Sequence, residues 1–252
     1  MSNIQRPQIA TPTLEPIVQT ERVFKRFSLG QRWEHILLIL SVTVLLLTGL
    51  PQKYYLSWGY RLLTTPDNIN FVRQIHHFAA IVLVLEVLYH LGLAINLLFR
   101  RQLSADMFPT VKDLRDAWHT LKYLLFFADK QSAHGKYNFE QKFTYWVIFF
   151  AIGIMVVTGF IIWFPILFTQ VFPGGIVPAA KLAHSDEAIA AAVFVLIWHV
   201  YHVHVERLNL SIFTGWLNER EMRQYHLLEY QRLTAKTSSK TNKKKSETGE
   251  RE

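Results

Sequence analysis

Residues 143–168 read FTYWVIFFAIGIMVVTGFIIWFPILF, a run without Asp, Glu, Lys or Arg. A helix needs roughly 18–20 apolar residues to cross a bilayer, and this run exceeds that length. Three further segments approach or exceed it: 33–51 (WEHILLILSVTVLLLTGLP), 71–99 (FVRQIHHFAAIVLVLEVLYHLGLAINLLF) and 183–205. A soluble helical core accommodates one such run, whereas four separated by polar intervals predict an all-α, membrane-embedded four-helix bundle. The division that follows is an N-terminal tail over 1–32, a four-helix domain over 33–205, and a C-terminal tail over 206–252.

Half of the 252 residues are hydrophobic, yet mean hydropathy is only +0.14 because polar tails dilute the apolar blocks. Cysteine is absent, which excludes disulfides, thiolate-bound iron–sulfur clusters and covalently attached c-type haem within the chain. The net charge of +8 is unevenly placed. Arg6, Arg22, Lys25, Arg26 and Arg32 precede the first span, and the loop after the second carries Arg100, Arg101, Lys112, Arg115, Lys122, Lys130, Lys136 and Lys142. The other two loops hold few basic residues: Lys53 and Arg61, with Arg73 at the edge, and Lys181. The positive-inside rule then expects both termini and the 99–142 loop in the cytoplasm. The basic charge is a topology signal and predicts no nucleic-acid partner. Residues 1–20 lack the apolar stretch of a secretory signal, so span one is expected to act as its own insertion signal.

Within the long loop, TVKDLRDAWHTLKYLLF (110–126) places Val111, Leu114, Trp118, Leu121, Leu124 and Leu125 at helical spacing, and Thr110 with Asp113 resembles a capping box. This predicts a cytoplasmic amphipathic helix between helices 2 and 3. It lies either in the lipid headgroup plane or against a partner's soluble domain. Residues 214–233 read as helical, the tail SSKTNKKKSETGERE (238–252) as disordered. No internal repeat is evident.

Most of the eleven histidines lie at span ends. His184 and His199 bracket the fourth span, roughly 22 Å apart along a helix and about 60° apart around it. His76, His77 and His184 fall towards the outside, and His35, His90 and His199 towards the cytoplasm. Two layers of imidazole drawn from different helices suit axial ligation of two b-type haems. Hydrogen-bonded structural histidines are the alternative for any one of them. Arg32 and Arg73 stand one turn before His35 and His76, placed either to pair haem propionates or to snorkel to the interface. Glu86, mid-span and four residues before His90, marks a functional-site candidate: it orients His90, relays protons, or packs as a neutral acid.

These residues resemble the dihaem cytochrome b subunits of membrane-bound formate dehydrogenases and nickel–iron hydrogenases. The resemblance runs from about residue 22 to 235. It is carried by RFSLGQRWEHILLILSVTVLLLTGLP, by IHHFAAI (similar to IHPFFGI), by GKYNFEQKFTYW, by TGFIIWFP, and by His184 and His199. It implies His76 with His184 at an outer haem and His35 with His199 at an inner one. His90 stays open as an alternative inner ligand, in a layout where spans two and four supply all four. The extra His90, His202 and His204 depart from the formate dehydrogenase subunit and leave room for a third haem. Asn138 and Gln141 match the segment that contacts quinone in the family, and Asn138 also suits N-capping of span three. The implied function is electron transfer in a bacterial or archaeal cytoplasmic membrane. Electrons would run between an external redox partner, an iron–sulfur or multihaem c-type subunit, and a quinone near the cytoplasmic face. Two other readings stand beside it: a quinol-oxidising cytochrome b feeding a multihaem c-type cytochrome, and a haem-free membrane anchor or metal-binding membrane protein.

Overall fold

The computed structural model describes residues 22–102, 104–124, 127, 135–206 and 208–247; the tail over 1–21, Lys130 and Leu125 lie outside them. Among the described residues, four helices are long and apolar enough to cross a membrane: α1 (Leu29–Lys53), α2 (Pro66–Phe99), α4 (Phe139–Trp163) and α6 (Ile176–Phe194), which runs on as π-helix to Val205. Between α2 and α4 lies α3 (Val111–Leu124), and after α4 comes the single turn α5 (Pro165–Thr169).

Caps set the boundaries. Ser28 and Gln31 exchange side-chain and backbone hydrogen bonds, so α1 begins at Leu29, before the apolar run itself. Asn138 and Gln141 do the same for α4. Thr65 caps α2 with Pro66 at its first position. The third span ends earlier than the hydropathy suggested, because Pro165 has no N–H and Phe164 leaves helical geometry.

The bundle is inside-out. Leu47 (68% exposed), Leu85 (60%) and Ile197 (70%) point outward, a surface that only lipid solvates cheaply. The buried span positions are mostly small or polar: Ser41, Thr48, Ala79, Glu86, Ala151, Thr158 and Ala180. Small residues let helix backbones approach where no hydrophobic effect drives association. Helix α1 packs on α2 and α6, and α4 packs on α6.

A two-stranded antiparallel ribbon, absent from the sequence reading, pairs β1 (Val23–Lys25) with β2 (Trp216–Asn218). It ties the chain before the first span to the chain after the fourth. Its corner is Gly215, at φ +87°, whose carbonyl accepts from Arg26 and Phe27 N–H. Gly215 also ends α7 (Ser211–Thr214), so the helix expected over 214–233 is interrupted; Asn218 and Glu221 then cap α8 (Glu219–Tyr225). The helix α9 (Leu227–Glu247) extends through 238–247, which were expected to be disordered. The segment is polar and free of Gly and Pro, so it forms a helix without an apolar face to bury.

The loop helix α3 docks through charge. The Lys142 ammonium donates to Asp113 at 2.9 Å and to the Phe108 carbonyl at 3.2 Å, while Trp146 Nε1 donates to the Met107 carbonyl. Asp113 also accepts from Thr110 N–H and hydroxyl. Val111, Leu114 and Trp118 are exposed. Burial pushes the Asp113 carboxyl up, but the bonds from Thr110 and Lys142 outweigh it and hold it below the usual carboxylate range. This stabilisation is present above the unfolded value of about 3.9 and is lost as pH falls through the lower folded value. Replacing Lys142 by Met leaves a buried, unpaired carboxylate and is expected to cost about 3–5 kcal/mol. The measurement is amide hydrogen exchange over 111–124, read as protection relative to the intrinsic rate at each pH; protection is expected to fall in Lys142→Met and, for the native chain, in acid.

Candidate functional site

The histidines converge in two places. His76 on α2 faces His184 on α6, ring centroids 6.4 Å apart. His35 on α1 faces His199 on α6, centroids 6.3 Å apart. A metal bound by two imidazoles at about 2 Å per metal–nitrogen bond separates the ring centres by about 6 Å. Both pairs have that separation. Fifteen residues of α6 divide them, about 22 Å at 1.5 Å per residue.

The surroundings of each pair differ. Next to His76 stand Thr48, its hydroxyl 2.9 Å from Nδ1, and Gly49, where an added Cβ would lie 3.3 Å from the ring. Next to His184 stand Thr158, 3.0 Å from Nδ1, and Gly159, where a Cβ would lie 3.2 Å from the ring. At the His35–His199 pair, His35 Nδ1 is buried without a partner among the described residues, as is Nε of Arg32. Phe213 packs edge-on against His35. His199 and His202 fall in the π-helical stretches, a geometry frequent at functional sites.

The neighbouring histidines go elsewhere. His77 stacks on Trp163 at 4.0 Å between centroids. His90 has both ring nitrogens engaged, Nδ1 by Glu34 at 2.8 Å and Nε2 by the Tyr145 hydroxyl at 3.2 Å. His202 bonds Glu206 and packs on Trp198, while His204 lies near His35 and His199. Arg73 is exposed. Glu86 is buried, with Oε2 unpartnered among the described residues. Asn138 is buried and caps α4; Gln141 Oε1 accepts from Asn138 N–H and, at 3.4 Å, from Arg26.

Sequence reasoning missed Glu34, Tyr145, Thr48 and Thr158 as members of these clusters. Glu34 had a signal: it lies with Glu86 inside an apolar run, where acids are rare. The threonines also had one. Ser28, Gln31, Thr48 and Gly49 recur as Asn138, Gln141, Thr158 and Gly159 at one constant offset, so α1 with α2 and α4 with α6 form two related hairpins. The expectation of no internal repeat is thereby corrected; caps and single small residues carry too little hydropathy signal to show it.

A family model described as prokaryotic cytochrome b561 matches residues 26–215. The chain belongs to this family. Among the relatives of this cytochrome b561, the formate dehydrogenase cytochrome b556 subunit of Haemophilus influenzae is 25% identical over 197 residues, 77% of each chain. The nitrate-inducible formate dehydrogenase cytochrome b556(Fdn) subunit of Escherichia coli is 26% identical over 179 residues, 71% of this chain and 76% of its own. The cytochrome b556(fdo) subunit of Escherichia coli formate dehydrogenase is 28% identical over 107 residues, 42% of this chain and 50% of its own. Membership makes this cytochrome b561 an integral membrane electron-transfer protein carrying b-type haem. The residues present fit such a group: facing imidazoles at ligand separation, glycines beside the rings, and a buried guanidinium nitrogen with no protein acceptor.

Proposed function

We propose that this cytochrome b561 holds two b-type haems and carries electrons between a redox partner subunit on the outer face and a quinone near the cytoplasmic face. The observation that carries the reading is the pair of facing imidazole couples on opposite parts of α6. In it, His76 and His184 bind the outer haem, and His35 and His199 the inner one. Each haem supplies a one-electron carrier, and two in series shorten the hops across an apolar barrier. His90 stays outside the ligand set because both of its nitrogens are engaged. Arg32 pairs an inner propionate and Arg73 an outer one. The relatives' names point to a dehydrogenase partner.

At the inner end, Asn138 and Gln141 form the quinone contact. Their capping bonds engage the side-chain oxygens, so the Asn138 amide nitrogen is the donor for a quinone carbonyl. Glu86, one turn from His90, relays protons towards this site; its unpartnered oxygen supports that role. This end faces the cytoplasm with both termini; the distribution of basic residues supports that orientation, and the β1–β2 pairing supports a common face for the two terminal segments. With α3 at that face, its exposed Val111, Leu114 and Trp118 lie in the headgroup region. The test is a pyridine haemochrome assay with protein quantitation on the purified chain. About two b-type haems per chain are expected; a colourless protein would return the histidines to structural or metal-binding roles.

A further inference from the structure

Two threonines stand in the same relation to the two outer histidines. Each hydroxyl hydrogen is already committed to its own helix: Thr48 donates to the Val44 carbonyl at 2.7 Å, and Thr158 to the Ile154 carbonyl at 2.7 Å. The hydroxyl therefore has only lone pairs to offer the ring, and the contact at 2.9 or 3.0 Å requires Nδ1 to be the donor. Both imidazoles are thus held as the Nδ1–H tautomer, with the Nε2 lone pair free.

Gly49 and Gly159 complete the arrangement. A side chain at either would press on ring carbon Cε1, between the two nitrogens. The Thr–Gly pair is therefore a unit: the hydroxyl orients the ring and the glycine leaves room for it. The same unit appears once on α1, acting on α2, and once on α4, acting on α6. The inner pair lacks an equivalent at His35, whose Nδ1 has no partner among the described residues.

We propose that Thr48 and Thr158 are matched positioning residues that fix the tautomers of His76 and His184 and strengthen both as ligands, lowering the midpoint potential of the outer haem. The proposal rests on the reading of His76 and His184 as that haem's ligands. An acceptor on Nδ1–H increases the basicity of the ligating nitrogen and favours the ferric state. With such support at the outer site and none at His35, the outer haem is the stronger reductant and electrons run inward.

The test uses Thr48→Val and Thr158→Val, singly and together, in the full-length chain in membranes. Valine keeps the shape and removes the oxygen. Haem content and a potentiometric titration followed by visible absorbance are read together. Each single variant is expected to raise the midpoint potential of one haem, the double variant to raise it further, and the other haem to stay unchanged. Thr→Ser at each position is expected to restore the native potential. If valine instead releases the outer haem, its retention by the serine variants supports the hydroxyl's role, and its loss from them too overturns it. Unmoved potentials in a double valine variant that keeps its haem also overturn it. His76→Ala run in parallel isolates the premise: full haem content there would refute the ligand assignment itself, whatever the threonine variants do.

Discussion

His76→Ala and His184→Ala are each expected to remove the same haem, so that content falls from about two per chain to about one and the double variant loses no more. The two rings face each other from α2 and α6 at 6.4 Å, and each is held by a threonine on a third or fourth helix. With one imidazole gone, the facing one alone would not hold the haem, so either substitution empties the same site. The haem that survives should keep its spectrum, because the second histidine pair is reached through His199, some four turns along α6 and about 22 Å away. Haemochrome quantitation with low-temperature absorbance of the α-bands reads both quantities. Additive loss, leaving the double variant with no haem, would show that the two histidines serve different sites.

The second large effect separates His35 from His90. His35→Ala is expected to halve the haem content, and His90→Ala to leave it at about two per chain. Both lie toward the same end of the bundle, and their positions along the sequence do not distinguish them. Their partners do: His35 faces His199 with Nδ1 unpaired, whereas His90 bridges Glu34 on α1 and Tyr145 on α4. Substitution of His90 removes this bridge, which costs packing and hydrogen bonding in the bundle but no iron ligand. If Glu86 relays protons through His90, as proposed, quinone-dependent turnover is expected to fall in His90→Ala. A His90→Ala protein that has lost a haem while His35→Ala retains both would reverse the assignment.

Much of this was legible in the sequence because a bilayer imposes a simple rule on a chain. Every spanning segment must satisfy its own backbone, so length and hydropathy alone announce four helices. Histidines at the ends of those spans stand out for the same reason, as polar groups in an apolar run. The ribbon between β1 and β2 was not legible: three-residue strands from opposite ends of the chain carry no periodic signal. The break at Gly215 was likewise hidden inside a segment whose composition suits a helix.

The sequence by itself determined the number of spans, the all-α class and the candidate ligands, since hydropathy and spacing along one helix are one-dimensional properties. Only the tertiary structure decided which histidines meet. His76 and His77 are adjacent in sequence, yet the 100° turn between them sends one to His184 and the other onto Trp163. Likewise His90, acceptable as a ligand by depth, is engaged by residues of two other helices. The role of Thr48 and Thr158 became visible for the same reason: a hydroxyl that only completes a helix turn in sequence fixes an imidazole once the neighbouring helix packs beside it. Pairing across helices depends on rotation and packing, which no single segment encodes.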